Sequence, residues 1–76
     1  MPLMATYQVP VVVERDGEGY HVFCPSIRGC RSHGATYEEA LERIQDAIRL
    51  NLELMQERGE PFVAADASLT TVQVAV

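Results

Sequence analysis

The sequence predicts a two-layer α+β domain, with one helix packed on a small sheet in the order β-β-β-α-β. Three observations lead there. Apolar and polar residues alternate from Thr6 to Glu14 and again from Leu69 to Val76, the period of a half-buried strand. Between them, Ala40, Leu41, Ile44, Ala47, Ile48, Leu52 and Met55 recur at helical spacing and form one apolar stripe. Two short strand-like runs, separated by turn residues, fill the stretch from Arg15 to Ala35.

In the first strand Tyr7, Val9, Val11 and Val13 share one face. Thr6, Gln8, Pro10, Val12 and Glu14 share the other. Pro10 cannot donate to a ladder, so this strand is expected to be an edge along part of its length, or bulged there. Arg15-Asp16-Gly17-Glu18-Gly19 reads as a hairpin turn around Asp-Gly. Tyr20–Cys24 follows as a second strand, with Tyr20, Val22 and Cys24 on one face and His21 and Phe23 on the other. Pro25 and Gly29 bracket a loop whose one apolar residue, Ile27, is expected to tuck inward. Cys30–Ala35 makes a short third strand that places Arg31 and His33 on one side.

The helix starts at Thr36. That residue is an N-cap, and Glu39 three positions on completes a capping box. Glu38 and Glu39 in the first turn also suit the helix dipole. The end falls near Arg58, because Gly59 suits the C′ position and Pro61 forbids continuation. A helix of this extent is about 30 Å long at 1.5 Å per residue. Leu50 and Leu54 lie outside the main stripe, covering either a dimer contact or the rim of the core. Residues 59–67 form a connector. In the last strand Thr70, Val72, Val74 and Val76 share a face.

The 76 residues make a single domain, 1–76, with its core from about residue 6 onward. A domain this small buries only about 60% of its unfolded surface. Two cysteines cannot supply a disulfide framework, so oligomerisation is the expected supplement, as a homodimer or higher homo-oligomer. The start of the chain has no basic region and no apolar core of a signal peptide, which makes the cytoplasm the expected compartment. Met1 and Met4 both qualify as the first residue. The net charge is −5, from eleven carboxylates against six arginines and no lysine. Such a surface repels phosphate backbones, so direct nucleic-acid binding is not expected. A basic protein partner fits this charge, and so does simple solubility.

The run Gly19–Cys30, followed by His33-Gly34-Ala35-Thr36-Tyr37-Glu38-Glu39-Ala40, resembles the signature of HicB-type antitoxins. The residues carrying the resemblance are Pro25, Gly29, Cys30, Gly34, Thr36, Glu39 and Ala40, in that order and spacing. The likeness extends over about residues 6–62. It implies a degraded RNase H-like fold. It also implies an antitoxin of a type II toxin–antitoxin system, binding and masking a small basic HicA-type toxin that cleaves mRNA, and assembling as dimers or higher oligomers. Many such antitoxins carry a C-terminal DNA-binding domain. This sequence ends at Val76, so the resemblance implies the stand-alone, toxin-binding form. The alternative is an orphan homo-oligomeric domain of the same fold, structural or regulatory, without a toxin.

No catalytic constellation is legible, and the chain is not expected to be an enzyme. An RNase H-like site needs carboxylates converging on divalent ions. Glu14, Asp16 and Glu18 bunch at one hairpin, and Asp66 lies in the connector. Ser26, Ser32 and Ser68 have no nucleophilic context, and adjacent strand residues such as Ser32 and His33 face opposite ways. His21, His33, Cys24 and Cys30 are the soft metal ligands, but His21 and Cys24 should point to opposite sheet faces. No metal or cofactor is therefore expected. A Cys24–Cys30 disulfide is conceivable in geometry and disfavoured in a reducing compartment.

The face away from the helix should display Gln8, His21, Phe23, Arg31 and His33. An exposed Phe among polar groups reads either as a binding patch or as a single scattered surface aromatic. With the acidic hairpin, the candidate partner-binding residues are Glu14, Asp16, Glu18, His21, Phe23, Arg31 and His33.

Overall fold

The structure is a computed structural model that describes residues 6–63 and 70–76. Its elements are β1 (Thr6–Asp16), β2 (Gly19–Phe23), β3 (Arg31–Gly34), α1 (Tyr37–Arg58) and β4 (Thr70–Ala75). The β-β-β-α-β order is as the sequence predicts. The four strands form one antiparallel sheet in the order β3-β2-β1-β4, with α1 across one face.

Strand β1 is the spine of the sheet. Its first half, Thr6–Val11, pairs with β4, and its second half, Val12–Asp16, pairs with β2. The two ladders meet without overlapping, so each half of β1 is hydrogen-bonded along one flank. Pro10 falls in the half that carries only the β4 ladder, which is how a strand central in order tolerates a missing N–H. This matches the expectation of a partial edge. Pro10 itself is buried, not solvent-facing as the alternation suggests.

The hairpin is tighter than the sequence reading. The strands run to Asp16 and from Gly19, leaving Gly17 and Glu18 alone in the turn. Strand pairing absorbs the flanking residues, because backbone groups there find ladder partners.

The inward faces meet as one core. Val9, Val11, Val22, Cys24, Ile27, Cys30, Val72 and Val74 from the sheet side pack against Ala40, Ile44, Ile48 and Leu52 of α1. Tyr7, Val13, Tyr20, Leu41, Ala47, Met55 and Phe62 close its rim. Ile27 is buried, as the loop pattern requires. Cys24 and Cys30 are both free thiols in this core. Burial raises both thiol pKa values; that of Cys30 is pushed up to about 11, with proximity to Cys24 adding to the effect of desolvation.

Helix α1 is capped at both ends. Thr36 Oγ1 accepts the Glu39 N–H at 3.1 Å. The return arm differs from a standard capping box: Glu39 Oε1 accepts from the Ala35 N–H at 2.9 Å, one residue upstream of the N-cap. Gly59 ends the helix in the left-handed region, φ 69°, and donates to the Gln56 carbonyl. Helix and sheet approach most closely at Gly34. A Cβ there would collide with the backbone nitrogen of Ala40 and lie 2.8 Å from its Cα. Leu69, Asp66 and residues 64–68 of the expected connector lie outside the described residues.

Candidate functional site

One face of the sheet carries α1. No second layer covers the other face among the described residues. Antiparallel register places side chains there in cross-strand rows. One row is Glu14, His21 and His33; the next is Val12, Phe23 and Arg31. Further along β1, Gln8 pairs with Gln73 of β4.

His21 and His33 are direct register partners, and their ring centroids lie 4.9 Å apart. The Phe23 ring lies 5.9 Å from that of His21. The three rings form a continuous aromatic strip across β2 and β3. Asp16 pairs with Gly19, which contributes no side chain, so the Asp16 carboxylate reaches past β2 to His33. Asp16 Oδ2 lies 3.8 Å from His33 Nε2, with both side chains about two-thirds exposed. A contact so exposed orients the two side chains more than it stabilises the fold. Glu18 sits in the turn beyond them. The face is thus acidic at the hairpin end, aromatic in the middle and basic at Arg31.

Neighbouring contacts brace this arrangement. Arg43 of α1 donates to the His33 carbonyl at 3.4 Å and pairs with Glu39 at 3.5 Å. Arg15 lies over the Tyr20 ring, 5.6 Å from its centroid, and Tyr20 meets Tyr37 edge to face. These contacts hold β2 and β3 to the start of the helix.

The sequence places five residues on this face, and the register brings His21, Phe23, Arg31 and His33 together. Gln8 lies apart from them, in the half of β1 paired with β4. Phe23 is half-buried, not exposed, because His21, Val12 and Arg31 surround it. Asp16 belongs to strand β1 and not to the turn, which is what aligns it toward His33. Val12 was not among the candidates; its pairing with Phe23 follows from the hairpin register, which a two-residue turn fixes. The histidines lie on this face while both cysteines lie in the core, on the other side of the sheet. Among the described residues, no three His, Cys, Asp or Glu side chains are arranged to hold a metal ion. No described helix is long and apolar enough to cross a membrane.

Residues 9–75 match the family model described as HicB-like antitoxin of bacterial toxin-antitoxin system. The chain belongs to the HicB-like antitoxin family. A UPF0150 protein of Synechocystis is 39% identical over 70 residues, covering 92% of this chain and 87% of the relative. Among solved structures, the N-terminal domain of the Burkholderia pseudomallei antitoxin HicB superposes with a TM-score of 0.67 at 26% identity, covering 92% of this chain and 95% of that one. A structure described as a HicA3 and HicB3 toxin-antitoxin complex gives a TM-score of 0.54 at 15% identity, covering 93% and 94%. The last likeness concerns the fold alone. The HicB-like string from Pro25 to Ala40 spans the loop that buries Ile27, the edge strand β3, the close approach at Gly34 and the helix cap.

Proposed function

We propose that this chain is the antitoxin of a type II toxin–antitoxin pair, binding and masking a small basic HicA-type toxin that cleaves mRNA. The observation that carries the reading is the uncovered face within a HicB-like fold, where Glu14, Asp16 and Glu18 flank an aromatic strip of His21, Phe23 and His33. The solved HicA3–HicB3 complex supports a partner of this kind.

The chemistry suits the task. Acidic groups on the hairpin accelerate encounter with a basic partner and set its orientation. Phe23 and the imidazole rings supply apolar and polarisable area for close packing. Arg31 and His33 provide donors that a toxin carboxylate or carbonyl accepts. The role is stoichiometric masking in the cytoplasm, without catalysis and without a cofactor.

The test is co-expression with the product of a neighbouring small basic open reading frame, followed by affinity capture through a tag on either protein. A stable complex is expected, and reversing Glu14 and Asp16 to Lys should weaken it. Failure of the intact pair to co-purify rules the reading out in favour of a HicB-like domain without a toxin.

A further inference from the structure

The sheet face that α1 leaves uncovered holds two imidazole ligands side by side. His21 and His33 are direct register partners across the β2–β3 ladder, with ring centroids 4.9 Å apart. Directly opposed residues of an antiparallel pair hold their Cβ atoms about 4.5–5.5 Å apart, so the ladder itself sets the spacing. Two imidazoles bound side by side to one ion, through bonds of about 2.0–2.1 Å, have ring centroids about 4.5–5.2 Å apart. The observed separation falls inside that range. Only the outer torsion of each side chain has to adjust, and for histidine that torsion is broad.

The surroundings favour a cation. Glu14 is the register partner of His21 on its other side, exposed and without an ion pair among the described residues. Asp16 Oδ2 lies 3.8 Å from His33 Nε2, too far for a hydrogen bond. A carboxylate beside a ligating histidine steadies its ring and raises its affinity for an ion. The cation of this face, Arg31, stands opposite Phe23 and not opposite either histidine.

We propose that His21 and His33 clamp one divalent transition-metal ion of the zinc class, with Asp16 as the supporting carboxylate and water in the remaining positions. Imidazole selects zinc, nickel or copper over magnesium or calcium. Among the described residues no third ligand is already in place, so the site is open. The cysteines take no part, because both are buried in the core on the other side of the sheet. The ion ties the edge strand β3 to β2. Toxin masking needs no ion, and the clamp stands independently of it.

Calorimetric titration of zinc chloride into the tag-free, chelator-treated full chain tests the proposal. One ion per chain is expected. His21→Ala and His33→Ala should each weaken binding about 100-fold, and Asp16→Asn about 10-fold. Neither histidine enters the core, so circular dichroism should show an unchanged fold in these variants. Folded Cys30→Ala should bind as the wild type does. Protons compete for the same nitrogens, so binding should weaken as pH falls from about 7.5 to about 5. In proton spectra, zinc should shift the ring resonances of both histidines together. Absence of binding, an affinity indifferent to both histidine substitutions, an affinity lost in folded Cys30→Ala, or one ion shared by two chains each overturns the proposal.

Discussion

His21 and His33 face each other across the β2–β3 ladder, their rings 4.9 Å apart, on the side of the sheet that α1 leaves uncovered. Neither side chain enters the core. Removing both should therefore spare the fold and weaken a partner that docks there. His21→Ala/His33→Ala is expected to shift the unfolding free energy by less than about 0.5 kcal/mol. It should weaken toxin binding at least about 10-fold, the loss typical of a central contact. Urea denaturation and calorimetric titration of the same protein separate the two effects.

Gly34 is constrained by packing and not by its backbone angles. A Cβ at this position meets the backbone of Ala40, which cannot swing aside as a side chain can. Gly34→Ala should cost about 3 kcal/mol, at the upper end of overpacking effects, through displacement of α1 from β3. The denaturation midpoint measures it, and wild-type stability in the variant would show that helix and strand do not approach this closely.

Thr36 is exposed, yet its hydroxyl satisfies one of the orphan donors of the helix start. Thr36→Ala should cost about 1 kcal/mol, and Thr36→Ser much less. Equal losses for the two would point to the methyl group and not to the hydrogen bond.

The thiol pKa values carry a pH dependence. Burial holds the folded Cys30 pKa at about 11, above its ordinary value of 9.0. The unfolded chain thus releases this proton first as pH rises. Stability should be undiminished below pH 9.0 and fall progressively toward pH 11. Cys24, shifted in the same direction, adds to the slope. Urea midpoints measured across this window should decline less steeply in Cys30→Ala than in the parent. An unchanged slope would mean that other groups account for the alkaline loss.

Most of the fold was legible because local chemistry agrees with the tertiary structure. Thr36, Glu39, Gly59 and Pro61 delimit α1 by capping and by chain-breaking alone, and the apolar stripe of Ala40, Ile44, Ile48 and Leu52 names its buried face. The face assignments of β1, β2 and β3 followed from alternation in the same way. What alternation does not contain is pairing. That β1 divides its length between β4 and β2 depends on the long connection through α1. The reach of Asp16 to His33 depends on Gly19 standing opposite Asp16. The half-burial of Phe23 depends on neighbours from three strands. The candidate site was therefore visible as a set of residues, and its rows were not.

If the uncovered, acid-flanked face masks an RNA-cleaving toxin, as proposed, this chain inhibits that toxin in a cleavage assay. The purified product of any small basic HicA-type reading frame found beside this one is incubated with RNA while this chain is titrated in. Cleavage is expected to stop at a one-to-one ratio of the two chains, and the His21→Ala/His33→Ala protein to require a large excess. Undiminished cleavage at saturating concentrations of the wild-type chain, with the protein folded by circular dichroism, would contradict it.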